Sequence, residues 1–162
     1  MKRIILIVVA VLIGGFLLIQ LVPYGRNHTN PPVVQEPTWD SPQTRELAMG
    51  TCGDCHSNTT VWPWYSNIAP VSWLVYNDTI EGRSKMNFSE WNRPQESADE
   101  AAQEVSEGGM PLKPYVMMHK SAQLTAAEKD ALIQGLQATF GSEAGPLTGS
   151  TQSGEGNETD ND

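Results

Sequence analysis

The chain has 162 residues, with 10 Lys and Arg against 19 Asp and Glu and a formal charge of −9 at pH 7. An apolar run near the N-terminus and a polar, acidic end leave about 115 residues to fold, which is enough for one buried core but not for two. No basic stripe remains to bind a phosphate backbone, so nucleic acid is excluded as the expected partner, and two cysteines are too few for a disulfide framework.

The first 23 residues predict a cytoplasmic stub and a transmembrane signal-anchor. Residues 4–22 carry no charge and a single polar side chain, that of Gln20. A helix of that length spans about 28 Å, close to the roughly 30 Å of membrane hydrocarbon. A cleaved signal peptide is the alternative, but its apolar core is shorter and ends at a small-residue cleavage site, which this segment lacks. Because Lys2 and Arg3 precede the run, we expect a single pass through the inner (cytoplasmic) membrane, with the soluble part on the periplasmic, extracytoplasmic side.

The remaining chain predicts a helical body between a linker and a tail. Residues 24–40 are rich in Pro and Asn and indicate an extended linker. Residues 41–141 are predicted to be the folded domain, in which no stretch alternates well enough for a strand. Residues 142–162 are acidic, lack basic side chains and have the composition of a disordered tail. The predicted fold class is therefore all-α, a small helical domain behind a single transmembrane helix.

The first two helices of the body have clear boundary signals. Ser41 is a suitable N-cap with Pro42 at the first helical position, and this helix leads to Cys52. A second helix is predicted over 71–81, with Gly82 as its end. Its expected apolar face consists of Val71, Leu74 and Val75.

Two further helices complete the predicted body. The third covers about 95–107 and stops at Gly108. The fourth begins at a capping box formed by Thr125 and Glu128 and closes at Gly141. The apolar faces expected to be buried are Ala98, Ala101, Ala102 and Val105 in the third helix and Leu132, Ile133, Leu136 and Phe140 in the fourth.

The sharpest signal in the sequence is Cys52-Gly53-Asp54-Cys55-His56, a CxxCH pattern. Two thiols separated by two residues reach the two vinyl groups of one haem, and a His directly after the second Cys falls beneath the iron as an axial ligand. Shuffling this composition reproduces the pattern in roughly 2 of 10,000 chains. We therefore predict one covalent haem c, attached through Cys52 and Cys55, with His56 as a metal ligand.

Other chemistries of a CxxC pair fit this sequence less well. A thioredoxin-like redox pair needs a βαβ setting, and no strand is predicted here. A zinc site needs four ligands, and only His28 and His119 remain as further His residues. A disulfide between Cys52 and Cys55 closes a very small loop and stabilises little.

The sixth ligand of the iron has several candidates. Met110 lies between Gly108-Gly109, which permit close backbone approach, and Pro111, which stiffens the loop. His119 is the second candidate, and an open site is the third. Met117 and Met118 lie in a short apolar patch and are interpreted as core filler.

The order helix, CxxCH, loop, helices, Met-Pro and capped C-terminal helix resembles the class I cytochrome c plan. The sequence resembles more closely the family of short membrane-anchored bacterial haem-binding domain proteins. The matching pieces, between about residues 24 and 140, are Cys52-Gly53-Asp54-Cys55-His56-Ser57, Pro63-Trp64-Tyr65-Ser66, Ala69-Pro70-Val71-Ser72-Trp73, Gly82-Arg83, Asn87-Phe88-Ser89-Glu90-Trp91, Met110-Pro111 and Tyr115. The resemblance implies an all-α haem c fold, export before maturation, and His56 and Met110 as ligands. Leu112 departs from it, since relatives tend to repeat proline after Met-Pro.

Further residues are candidates for supporting a haem. An axial His generally donates its second ring N–H to a backbone carbonyl, and the resemblance to cytochromes of the similar plan implies Pro70 for this role. Arg83 and Lys85 are candidates for pairing with the propionates, or are solvated charges. The candidates for the haem wall, with ordinary core aromatics as the alternative for each, are Trp62, Trp64, Trp73, Trp91 and Tyr115.

The sequence thus predicts a membrane-tethered monohaem c-type cytochrome that transfers electrons and is not an enzyme, because no catalytic constellation lies beside the motif. Its expected partners are the membrane and a redox protein that the sequence does not identify. The alternative is a haem-based gas or redox sensor, or a haem enzyme, with an open or displaceable sixth ligand. The state of that ligand discriminates between the two.

Overall fold

A computed structural model describes residues 1–141, and the regular secondary structure within them is helical. The helices are α1 (Lys2–Ile19), α2 (Pro42–His56), α3 (Val71–Lys85), α4 (Ala101–Glu107), α5 (Lys113–Met118) and α6 (Ala126–Phe140), with short 3₁₀ segments η1 (Trp64–Asn67) and η2 (Lys120–Ala122). Extended segments of this part of the chain pair only at an isolated parallel bridge between Gln35 and Glu90. The all-α prediction is confirmed, while the tail predicted at 142–162 lies outside the described residues.

The core of the body lies where α2, α4 and α6 meet. Apolar side chains from these helices pack with Met86 and Phe88, which follow α3. The buried members on the helices are Ala48, Ala101, Ala102, Val105, Leu132, Leu136 and Phe140. Ala98 and Ile133 are partly buried against this cluster, so the apolar faces predicted for the last two body helices are confirmed. The capping box is also present, with the Glu128 N–H donating to Thr125 Oγ1 and the Thr125 N–H donating to Glu128 Oε2.

The end of α3 differs from the sequence prediction. The helix continues through Gly82 to Lys85 instead of stopping at Glu81. Gly82 is buried against α2, and a Cβ placed on it would lie 2.7 Å from the backbone oxygen of Cys55. The glycine is therefore required for the close approach of two helices rather than for a helix stop.

Two other elements differ from the prediction. The helix expected from about Gln95 begins only at Ala101, because the Gln95 amide instead accepts from the Asn87 N–H at 2.8 Å and donates to the Glu90 carbonyl at 2.8 Å. Helix α5 was not predicted. It leaves Met117 and Met118 largely exposed, so their interpretation as core filler is wrong.

The extended segment 24–40 lies along the body. The His28 ring stacks on Trp62 with ring centroids 4.4 Å apart, and the Asn30 side chain donates to the Thr60 carbonyl at 2.9 Å. Further on, the Trp91 N–H donates to the Gln35 carbonyl at 2.9 Å. The segment is thus held by side chains and backbone of the folded domain.

Helix α1 has a mean hydropathy of 2.5, is not buried by the body, and is long and apolar enough to cross a membrane. The residue after it, Gln20, contacts the body through its side-chain amide. Nε2 donates to the Ala69 carbonyl at 2.9 Å, and Oε1 accepts from the Ala69 N–H at 3.0 Å. The end of α1 is therefore fixed beside the start of α3.

Candidate cofactor site

The CxxCH segment forms the last turn and a half of α2. The helix begins at Pro42 and ends at His56, and the N-cap residue Ser41 accepts from the Thr44 N–H through its Oγ at 3.1 Å. Because residues three and four apart share one helix face, Cys52, Cys55 and His56 are presented on the same side of α2. The helix thus delivers two thiols and one imidazole together.

The His56 ring is oriented by a backbone carbonyl. Nδ1 lies 3.0 Å from the Met86 carbonyl oxygen, and burial lowers the pKa of the imidazole. A neutral ring that donates from Nδ1 keeps the lone pair on Nε2 available for a metal. His56 is therefore held in an orientation in which Nε2 could coordinate a metal.

The resemblance to cytochromes implies that the Pro70 carbonyl orients His56. In the structure the Met86 carbonyl does so instead. Pro70 precedes α3, and its carbonyl accepts from the N–H groups of Trp73 at 3.1 Å and Leu74 at 3.4 Å. The chain leaving α3 instead brings Met86 to the histidine. The spacing of residues in the sequence does not show that Met86 lies beside His56, 30 residues earlier in the chain.

The two thiols are partly buried and unpaired with each other. Burial raises the pKa of Cys52 to about 12 and that of Cys55 to about 11. Cysteines of redox CxxC pairs have lowered pKa values, so these thiols do not have the electrostatics of a dithiol oxidoreductase. Within residues 1–141, no three His, Cys, Asp or Glu side chains converge to hold a metal ion such as zinc.

Arg83 braces the loop that follows CxxCH. Its guanidinium is buried and donates from Nε to the Ser57 carbonyl at 2.8 Å and from Nη2 to Thr60 Oγ1 at 2.7 Å and Asn30 Oδ1 at 2.8 Å. These bonds tie α3 to both the loop and the extended segment. The Arg83 side chain is thus committed to protein acceptors, while Lys85 forms an exposed ion pair with Glu96 at 2.8 Å.

A second brace comes from the segment after α3. The Phe88 N–H donates to the His56 carbonyl at 2.8 Å, and the Asn58 N–H donates to Ser89 Oγ at 2.9 Å. The Asn87 side chain donates to Asn58 Oδ1 at 2.9 Å, and the Asn58 side chain donates to Glu90 Oε1 at 2.9 Å. Buried polar groups that satisfy one another in this way specify a single loop conformation. Sequence reasoning missed this role, although the cluster of Asn and Ser after a helix is the signal that indicates it.

A chain of polar aromatic contacts begins at Asp54, within the CxxCH segment. The Tyr115 hydroxyl donates to Asp54 Oδ2 at 2.8 Å, and the Tyr115 and His119 rings stack with centroids 4.0 Å apart. His119 Nδ1 donates to the Tyr115 carbonyl at 2.9 Å, and Nε2 lies 3.2 Å from the Tyr65 hydroxyl oxygen. Both nitrogens of His119 are therefore engaged by protein groups. Burial, followed by Asp54, raises the pKa of Tyr115.

The remaining predicted residues are distributed around the body. Trp91 stacks on Phe140 at 4.8 Å between ring centroids and belongs to the core, whereas Trp64 is 74% exposed. Met110 is 37% exposed, and its N–H donates to the Glu104 carbonyl at 3.1 Å, so its loop is hydrogen-bonded to α4 rather than to the CxxCH segment.

The residues present fit a haem on two grounds. The donor set consists of two spaced thiols and an oriented neutral imidazole, which is the set that covalent haem attachment uses. In addition, Thr51 Oγ1, Ser72 Oγ and Trp73 Nε1 are buried without a hydrogen-bond partner among the described residues. Buried polar atoms without a partner need an explanation, and a bound group that carries hydrogen-bond acceptors is one.

A family model described as a haem-binding domain matches residues 14–138. The match covers most of the chain, from within α1 to within α6. No curated protein and no solved structure shows significant similarity to the chain.

Proposed function

The chain belongs to the haem-binding domain family, and we propose that it is a membrane-anchored monohaem c-type cytochrome that transfers electrons. The observation that carries the proposal is the CxxCH segment at the end of α2, with His56 Nδ1 bound to the Met86 carbonyl. Haem, when bound, supplies an iron that takes up and releases one electron. The residues of the protein attach the haem, orient it and shield it.

Attachment is assigned to Cys52 and Cys55. These two thiols would hold a haem by adding across its two vinyl double bonds, an addition that needs no leaving group. The two sulfurs stand one helical turn apart on the face of α2 that also presents His56. This spacing supports covalent attachment rather than reversible binding.

Rigidity around the attachment segment supports electron transfer over catalysis. Arg83 holds the Ser57 carbonyl, Phe88 holds the His56 carbonyl, and Gly82 lets α3 lie directly against Cys55. A ligand set held by such contacts keeps its geometry while the charge on the iron changes.

Met110 is proposed as the sixth ligand. The structure supports it indirectly, because both ring nitrogens of the rival His119 are engaged by Tyr115 and Tyr65. Met110 lies in the loop between α4 and α5, and its side chain is partly exposed.

The last part of the proposal concerns the membrane anchor and the side of the membrane on which the haem domain lies. Helix α1 is long and apolar enough to span the bilayer, and Lys2 and Arg3 at its start favour a cytoplasmic N-terminus. The haem domain then faces the periplasmic side of the inner membrane, where it meets a redox partner.

Substitution of Met110 tests the function. Thioether sulfur favours ferrous iron, so Met110→Ala should remove the sulfur-to-ferric-iron absorption band, lower the reduction potential and open a site for carbon monoxide. Met117→Ala and Met118→Ala are matched controls, because both side chains are exposed on α5, and they should leave the band in place.

Two outcomes would contradict parts of the proposal in different ways. Rapid carbon monoxide binding by the wild-type protein at neutral pH would favour the sensor or enzyme alternative over electron transfer. Loss of six-coordination in His119→Ala but not in Met110→Ala would correct the ligand and leave a bis-histidine electron carrier.

A further inference from the structure

Three large apolar side chains at one end of the body are exposed. Of the apolar face expected on α3, Val75 is partly buried, whereas Val71 is 42% and Leu74 58% exposed, and Trp64 in the neighbouring η1 is 74% exposed. We call Trp64, Val71 and Leu74 the proximal patch. These residues lie on two elements that pack against each other, and exposed apolar residues on neighbouring elements mark an interaction surface.

The proximal patch lies where α1 meets the body. The Gln20 side chain makes two hydrogen bonds to the Ala69 backbone, two residues before Val71. The Arg26 guanidinium donates to the Gln20 carbonyl. These contacts place the first turn of α3 beside the point at which α1 ends.

The chain between α1 and the body is too closely packed to act as a free tether. Gly25 adopts a φ of +76°, and a Cβ placed on it would lie 2.5 Å from the Ser72 carbonyl oxygen. The Tyr24 and Tyr76 rings contact each other edge to face, with centroids 5.5 Å apart. The patch is therefore held at a fixed position relative to the anchor.

The polarity of α3 changes along its length. Apolar Val71 and Leu74 occupy its first turn, whereas acidic Asp78 and Glu81 follow about 10 and 15 Å further along the axis. Acidic side chains are thus kept away from the end that adjoins the anchor. Trp and Tyr are enriched at membrane–water interfaces, so Trp64 and Tyr24 are suited to that end.

We propose that the proximal patch inserts into the interfacial region of the same bilayer that α1 spans. The inference rests on the anchoring given under the proposed function and extends it: the haem domain lies on the membrane in one orientation instead of swinging on a linker. The occupant of the patch is lipid, because the patch is continuous with the end of the membrane helix.

The test uses the full-length holoprotein in phosphatidylcholine vesicles. A carbene photoreagent that partitions into lipid, followed by peptide mass spectrometry, should label α1 together with Trp64, Val71 and Leu74. Ile80 is the matched control, because it is 45% exposed on the same helix but about 13 Å beyond Val71, and it should remain unlabelled.

A second measurement reads Trp64 directly. Brominated lipids should quench part of the tryptophan emission of the wild-type protein, and Trp64→Phe should remove that quenched component. The substitution leaves the fold intact because the Trp64 side chain is mostly exposed.

The outcomes distinguish the proposed insertion of the proximal patch from the proposed anchoring by α1. Labelling of α1 without the proximal patch, and unchanged quenching in Trp64→Phe, would overturn the inference and leave the anchoring standing. Absence of label from α1 would overturn the anchoring itself. Cross-linking of the patch to a second copy, without lipid labelling, would identify a dimer surface and also overturn the inference.

Discussion

Replacing Gly82 by Ala tests the contact between α3 and the attachment segment. The new Cβ would lie 2.7 Å from the Cys55 carbonyl oxygen and 3.1 Å from the Cys55 Cβ, closer than ordinary van der Waals contact allows. The nearest obstructing atom belongs to the backbone, so α3 must move away from α2, and overpacking of this kind costs about 1–3 kcal/mol. Alanine also gains about 1 kcal/mol of helix propensity over glycine. We expect a net loss of about 1 kcal/mol in the free energy of unfolding.

Gly50→Ala is the matched control for this substitution. Gly50 lies inside α2, and a Cβ there would meet nothing within 4 Å, so only the propensity gain of about 1 kcal/mol remains. The difference between the two variants therefore isolates the clash. Urea unfolding of the full-length holoprotein in detergent, followed by circular dichroism, measures both. Equal stabilisation of the two variants would refute the close helix contact at Gly82.

Three further predictions concern the braces and the pH dependence of stability. Arg83→Met should lower the free energy of unfolding by about 3 kcal/mol, because buried acceptors lose charge-assisted hydrogen bonds. Lys85→Met removes only a solvent-exposed ion pair and should change the free energy of unfolding much less, so equal losses of the two variants in chemical denaturation would contradict the role of Arg83. Thr125→Ala should cost about 1 kcal/mol by loss of the N-cap, and Thr125→Ser should restore most of it in the same assay. Hydrogen bonds from Asn58 and then Arg93 hold the pKa of Glu90 below its usual value, so its contribution is present above the unfolded carboxyl pKa and is lost as the pH falls through the folded one. Glu90→Gln should make the acid-side decline in melting temperature shallower, and an unchanged slope would exclude this role.

Sequence reasoning succeeded where a local pattern determines a local structure. The capping box at Thr125 and the start at Ser41 depend on side chains three residues apart, so both are readable from the sequence. The faces of α4 and α6 were also predicted, because their apolar residues repeat at the helical period and meet each other. At the site, CxxCH alone placed two thiols and an imidazole on one helix face.

The errors came from contacts between distant segments. Gly82 reads as a helix end in isolation, and only its approach to Cys55 explains why the helix passes through it. The carbonyl that orients His56 comes from Met86, 30 residues later, instead of from Pro70. The sequence predicts an apolar face on α3, but whether such a face is covered depends on neighbouring elements, and Val71 is 42% exposed beside the end of α1.

Covalent attachment of haem is the central claim, and acid-acetone extraction of the purified full-length protein tests it most directly. If Cys52 and Cys55 both form thioethers, the haem stays with the polypeptide after extraction, and the intact mass exceeds that of the chain by one haem. The variant with both cysteines changed to Ala should retain no haem after the same treatment. Haem that extracts freely from the wild-type protein would contradict the account.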